Sequence, residues 1–190
     1  MKILILQGHP NKKSFVSALA QKYADGVRTK GHEVELIHLI DLQFDPVLHQ
    51  GYHQNPPQAL EADLQMMQEK ITACDHLVVA FPMWWASLPS LLKAFFERTF
   101  LPGYAFEYTS KVPTKLLKGR SARYIMTMDS PAFYYRLFLG APGFKIIKKS
   151  ILQFCGFSPI KRTVFYGVRN TTAQKRKDWL EKVRILGSNE

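Results

Sequence analysis

Apolar positions along this chain change period several times, and each change predicts an element. The run Ile3-Leu4-Ile5-Leu6, stopped by Gly8, has the pattern of a strand buried on both faces and therefore central in a sheet. From Ser14 the period lengthens: Phe15, Ala18, Leu19, Tyr23 and Val27 fall on one helical stripe, with Ser14 placed to cap it and Lys30-Gly31 to stop it. Residues 34–39 predict a second strand, less uniformly apolar and so nearer an edge. After a loop-rich stretch over 41–57, a helix is predicted over 58–73, with Leu60, Leu64, Met67 and Ile71 at helical spacing. It leads into a third buried strand, 76–81, which Pro82 ends. Leu91, Leu92, Phe95 and Phe96 mark a helix over 90–100. Residues 111–119 are a basic connection, 122–128 a fourth strand, 145–154 a helix closed by Gly156, 160–166 a fifth strand and 172–186 a final charged helix.

Strands alternating with helices pair in parallel through right-handed crossovers, so the fold class is α/β with a doubly wound five-stranded sheet. No repeat or linker divides residues 1–190, which read as a single domain. Hydrophobic residues at 46% and charged residues at 22% exclude wholesale disorder. Two cysteines, Cys74 and Cys155, make neither a disulfide framework nor a four-thiolate zinc site. The uncharged stretch 77–92 is broken by Pro82 and Pro89, which argues against a bilayer span, and the expected compartment is the cytoplasm.

The net charge of +11 is unevenly placed. Residues 1–110 carry nine Lys/Arg and eleven Asp/Glu, net −2, whereas residues 111–190 carry seventeen and four, net +13. Such a field attracts anions: nucleic acid, a phosphorylated dinucleotide or an acidic membrane face. No helix-turn-helix, RNP or zinc-finger pattern accompanies it, and no nucleic-acid partner is expected.

In open sheets of this kind ligands lie beyond the carboxyl ends of the strands. The loop 8–14 runs from a buried strand into a helix N-terminus, where free N–H groups, the Ser14 hydroxyl and the helix dipole favour a phosphate. It has neither the six-spaced glycine pattern nor the Walker A ending. The bland alternative makes Ser14 a helix cap and His9 a loop residue. The second loop, Pro82-Met83-Trp84-Trp85-Ala86-Ser87-Leu88-Pro89, sets two tryptophans between prolines. Such side chains wall a flat heteroaromatic ring whose edge bonds to backbone N–H groups, as a flavin's does; the competing reading plugs the core or an interface. The third loop is 129–143.

These residues resemble the flavodoxin-like NAD(P)H:quinone oxidoreductases, including the modulator-of-drug-activity and potassium-efflux ancillary types. The resemblance runs through His9-Pro10 with Ser14-Phe15, Asp41-Leu42 with Phe44-Asp45-Pro46, Phe81 to Trp85 with Pro89, Leu92 to Arg98, and Leu152-Gln153-Phe154-Cys155-Gly156-Phe157. It implies strand order 2-1-3-4-5 with helices on both faces, and a homodimer with active sites at the interface. It also implies a flavin, FMN or FAD, reduced by NAD(P)H at N5 and reoxidised by a quinone in a ping-pong cycle. His9, Ser14 and Phe15 are then expected at its phosphate and ribityl region, and Pro82, Met83, Trp84 and Trp85 along the isoalloxazine. Thr127 keeps a family threonine, and Tyr134 or Tyr135 stands in for a family tyrosine. No histidine follows His76, so Asp129 is the remaining candidate proton donor, provided burial raises its pKa; the alternative makes it a turn residue.

The basic residues Lys111, Lys115, Lys118, Arg136 and Lys145 are candidates for the 2′-phosphate of NADPH. Phe133, Tyr134, Tyr135 and Phe138 suit a roof over the ring or a dimer contact. A regulatory subunit of a membrane transporter and a flavin electron carrier are the competing functions. His49 and His53 have zinc-like spacing, but Gly51 spoils the helix that spacing requires, and no metal is expected. Cys74 and Cys155 read as structural thiols.

Overall fold

A computed structural model describes residues 1–49, 51–52, 58–108 and 112–190. The central strands are the uniformly apolar ones. β1 (Lys2–Gln7) and β3 (His76–Pro82) lie side by side, flanked by β2 (Glu33–His38) at one edge and by β6 (Ser121–Met128) and β7 (Ile160–Tyr166) toward the other. All pairings in this sheet are parallel, with Ile5 opposite both Leu36 and Val78. Side-chain alternation divides the core. Ile3, Ile5, Val78, Ala80, Ile125 and Phe165 face α1 (Phe15–Arg28) and α5 (Ala173–Gly187). Leu4, Leu6, Leu77, Val79, Phe81 and Met126 face the opposite layer, built by α2 (Ala62–Ala73), α3 (Ser90–Thr99) and the helix that begins at Pro142.

The doubly wound, five-stranded parallel sheet is therefore as expected, with one refinement. Between β3 and β6 the chain adds β4 (Phe106–Glu107) and β5 (Thr114–Lys115), a separate antiparallel ribbon. The spatial order is β2-β1-β3-β6-β7, which is 2-1-3-4-5 only when the main-sheet strands alone are counted.

Two helix starts differ from the periodic reading for physical reasons. The helix expected over 58–73 begins at Ala62, because the segment before it is held extended by Arg98. That guanidinium is buried and donates to the Ala59 carbonyl at 3.1 Å and to the Glu61 carboxylate at 2.9 Å. The helix expected from 145 begins at α4 (Pro142–Lys145), where proline at the first turn sacrifices no hydrogen bond, and continues as a π-helix over Ile146–Gln153. A second π-helical turn spans Tyr134–Phe138.

The capping expected of Ser14 holds, and Thr172 caps the last helix in the same way. Ser14 Oγ accepts from Ser17 N at 3.3 Å, and Thr172 Oγ1 accepts from Lys175 N at 3.3 Å. α1 and α5 touch through their backbones. A Cβ on Gly26 would lie 1.9 Å from the Arg184 carbonyl oxygen, and one on Gly187 would lie 2.2 Å from that of Tyr23. This contact fixes the axis of α1, and hence where its N-terminus points.

Candidate active site

Loops 8–14, 83–89 and 129–141 leave the carboxyl ends of β1, β3 and β6. Gly8 begins the first, its N–H donating to the Ala80 carbonyl at 2.8 Å. A side chain there would meet Leu92 of α3 at 3.2 Å, so the small residue lets α3 close under the loop. His9 Nδ1 accepts from Asn11 N at 2.8 Å, and Asn11 Oδ1 accepts from Lys13 N at 2.8 Å, which curls the loop on itself. Accepting at Nδ1 puts the proton of the neutral imidazole on Nε2, and desolvation lowers the His9 pKa and favours that neutral form. His9 therefore presents an N–H donor beside the N-terminus of α1, whose first turn contains no acidic residue. Ser14 caps that turn and Phe15 opens the helix, whose first turn adds no negative charge of its own, while the Asp41 carboxylate nearby is paired with Lys12 of the loop.

The second loop carries strain. Met83 N donates to the Thr127 carbonyl at 2.7 Å, which prolongs the β3–β6 pairing. The chain then reverses between Trp84 and Ser87, which exchange backbone hydrogen bonds at 3.1 and 2.9 Å. The two central residues, Trp85 and Ala86, have φ of 50° and 60°, a type I′ geometry that normally takes glycine or asparagine. Two L-residues held there cost about 1 kcal/mol or more each. Trp85 stands fully exposed at the tip, while the Trp84 ring meets His9 edge-on at 5.3 Å between centroids. Loops one and two are thus in contact. Pro82 and Phe81 are buried beneath the turn, and Met83 is half-buried.

Tyr135 ties the third loop to the second. Its ring is fully buried against Phe144. Its hydroxyl accepts from Gly143 N at 2.9 Å and donates to the Ala86 carbonyl at 3.3 Å. Gly143 N also reaches that carbonyl, at 3.1 Å. A Cβ on Gly143 would fall 2.7 Å from the Tyr135 hydroxyl, so only glycine fits this joint. Sequence reasoning missed Gly143 and the Ala86 carbonyl; the Gly140-Ala141-Pro142-Gly143 run was the available signal.

The three expected catalytic residues separate. Tyr134 is half-exposed on the third loop, stacked on Phe138 at 5.7 Å. Tyr135 is the buried tie just described. Asp129 Oδ1 accepts from Arg169 N at 2.7 Å, joining the third loop to the turn after β7. Thr127 is buried and enters through its carbonyl.

The sequence profile of the Flavodoxin_2 family, a flavodoxin-like fold, matches residues 1–185. The chain belongs to that family. The NAD(P)H dehydrogenase [quinone] 1 of Cavia porcellus is 26% identical over 94% of this chain and 73% of its own length. Among solved structures, Smu.1420 from Streptococcus mutans UA159 superposes with a TM-score of 0.86, at 32% identity, over the whole of both chains. The FMN-dependent NADH-azoreductase of Bacillus anthracis str. Ames Ancestor, solved in complex with FMN, has the same fold at a TM-score of 0.78 and 16% identity, over 99% of this chain and 98% of its own. The resemblance to NAD(P)H:quinone oxidoreductases stated from the sequence is thereby confirmed.

Within this flavodoxin-like chain His49, Cys74 and Cys155 are not part of the three loops. His49 Nε2 pairs with Asp45 Oδ2 at 2.8 Å; His53 and Lys111 lie outside the described residues. Among the described residues no cluster of three metal-ligating side chains occurs, and no helix is long and apolar enough to cross a membrane. Burial pushes the Cys74 thiol up to about 11 and the Cys155 thiol up to about 12, so both are protonated at neutral pH.

Proposed function

We propose that the protein is a flavin-dependent NAD(P)H oxidoreductase that reduces a quinone or a related electrophile. The observation that carries this reading is the junction of the loops. A helix N-terminus free of acidic residues meets a strained aromatic turn through the His9–Trp84 contact. The donor set fits a flavin nucleotide. His9, Ser14, Phe15 and the first-turn N–H groups of α1 suit its phosphate and ribityl chain, and the 82–86 backbone with Trp84 and Trp85 suits its ring edge. When bound, the flavin supplies hydride acceptance from NAD(P)H and hydride donation to the acceptor, two half-reactions sharing one slot.

The chain's own residues supply geometry. The hydroxyl of Tyr135 holds the 84–87 turn in register with Gly143, so it is a positioning residue. Asp129 braces the third loop through Arg169 N and does the same. Tyr134 is the tyrosine assigned to the acceptor, because it and Phe133 are the exposed aromatic side chains at the start of the third loop and form its rim. NADPH is the donor favoured by the basic residues Arg136 and Lys145 beside that rim. The quaternary state that fits is a homodimer. An apolar groove of about 690 Å³ between α3 and the helix over 146–153, walled by Phe96, Phe100, Phe106 and Phe154, is the surface a second copy would fill.

The visible spectrum of the purified protein tests the reading. A band near about 450 nm is expected of oxidised flavin, and the mass of the released chromophore distinguishes FMN from FAD. Replacing Trp84 and Trp85 together by Ala is expected to cut flavin retention far more than it lowers the unfolding midpoint. Equal losses, or a colourless protein that takes up neither nucleotide, refute it.

A further inference from the structure

We propose that residues 133–149 dock this protein on an anionic bilayer surface. Three observations carry the proposal. The first is exposure of large apolar side chains in one continuous stretch: Leu137 is 78% exposed, Phe138 72% and Phe133 61%. They are held outward. Tyr135, in the same turn, is drawn fully into the core, and its hydroxyl bonds to Ala86 and Gly143, so the apolar tips project from an anchored platform that includes the Trp85 turn. Patches of this kind on a folded protein mark a surface that something covers.

The second observation is charge. Residues 130–177 contain ten Lys/Arg and no Asp or Glu. Arg136 lies inside the apolar stretch, its guanidinium over the Tyr166 ring at 6.0 Å. The Lys145 ammonium stands over the Gly140 turn, and Lys148 and Lys149 are exposed on the helix that follows. Aromatic and leucine tips rimmed by cations are the chemistry of an interfacial segment: tips enter the boundary between headgroups and acyl chains, and the rim meets anionic headgroups. Third, the same charge argues against the competing occupants. A second copy pairing through this patch would set one basic surface against another, because residues 130–177 offer no carboxylate to meet Arg136, Lys148 and Lys149. Nucleic acid would satisfy the rim but leave Leu137 and Phe138 facing phosphates.

The docking stands on this surface alone. Its consequence, that the electron acceptor is drawn from the bilayer, rests on the quinone-reductase reading above.

The test is co-sedimentation of the purified protein with vesicles of phosphatidylcholine alone, or of phosphatidylcholine with 30% phosphatidylglycerol. Binding is expected only to the anionic vesicles and is expected to weaken as salt rises. Replacing Lys148 and Lys149 together by Gln is expected to lower the partition coefficient about 25-fold, roughly fivefold per lost cation near an anionic surface. The same charge loss at Lys30 and Lys182, away from the patch, is expected to leave it within about twofold. Leu137→Asp with Phe138→Asp is expected to abolish binding while the far-ultraviolet circular dichroism stays native. Oxidation of NAD(P)H by a short-chain water-soluble quinone, without vesicles, is expected to be unchanged in the double Gln variant. Equal partition onto both vesicle types, equal loss at the control lysines, or conversion of a dimer to a monomer by the Asp pair each overturns the docking. None of these outcomes bears on flavin binding, and a colourless protein that still sediments with anionic vesicles would overturn the enzymatic reading alone.

Discussion

Acid should loosen this protein from the end of the sheet opposite the candidate active site. There His76 on β3 is 2% exposed, its Nδ1 bonded to Ser121 Oγ at 2.7 Å and its Nε2 3.4 Å from the Tyr23 hydroxyl of α1. Beside it Glu190 is buried against Arg123, whose Nε donates to Oε1 at 2.9 Å and whose Nη1 donates to Thr163 Oγ1 at 3.1 Å. Burial pushes the His76 pKa down to about 4 from 6.5, so the imidazole folds neutral and takes up its proton on unfolding. A depressed histidine contributes stability that is complete above about pH 6.5 and is lost as pH falls toward the folded value. A 2.5-unit gap amounts to about 3 kcal/mol once pH is below 4, and about 2 kcal/mol is already gone at pH 5. Burial is the largest single influence on Glu190 and works against its ionised form, but the hydrogen bonds and charge of Arg123, with smaller contributions from His76 and the Tyr23 hydroxyl, together outweigh it and leave the pKa below the usual glutamate value. Its contribution is therefore present above about pH 4.5 and declines only in stronger acid. The window from pH 6.5 to 5 isolates the histidines. His9 and His38, depressed mainly by partial burial, act there with the same sign and are less enclosed. Urea unfolding followed by far-ultraviolet circular dichroism at half-unit intervals from pH 7 to 5 should show the decline. In His76→Gln more than half of the slope should vanish, even though the variant is weaker at pH 7. An unchanged slope in the variant would refute the assignment.

Gly26→Ala should be among the most damaging single changes, because the added methyl must displace the Arg184 carbonyl from 1.9 Å. A loss of at least about 3 kcal/mol is expected from forcing α1 and α5 apart, with weaker flavin retention because α1 supplies the anion-binding end; thermal unfolding and chromophore content check both. Tyr135→Phe should lower stability by about 1–2 kcal/mol, since Gly143 N and the Ala86 carbonyl lose a buried partner. It should also lower kcat for quinone reduction more than it changes the KM for NAD(P)H, and steady-state kinetics on both substrates separates the two.

Contact range decides which parts of this molecule were legible in its sequence. Ile3 to Leu6 and residues 76–81 declared central strands because burial on both faces leaves no polar alternation to misread. Ser14 declared a helix start because a cap is a local bond, three residues long. The third loop resisted for the opposite reason. Its first turn is π-wound, Leu139 N reaching the Tyr134 carbonyl five residues back, and a reading at 3.6 residues per turn does not say which of Tyr134 and Tyr135 points inward. Asp129 drew its role from Arg169, forty residues on, and the loop before α2 from Arg98, thirty-seven residues beyond Glu61. In each case one buried or anchored polar group settles the position of a distant loop. The second and third loops, which carry part of the proposed chemistry, are coupled in this way. A single hydroxyl, that of Tyr135, bonds both the strained Trp85–Ala86 turn and the start of the helix at Pro142. Strain summed over the two turn residues, about 2 kcal/mol or more, exceeds the net worth of one neutral hydrogen bond, about 1 kcal/mol, so the turn keeps its shape only while buried Tyr135, the Gly143 joint and the pairing of Met83 with Thr127 act together.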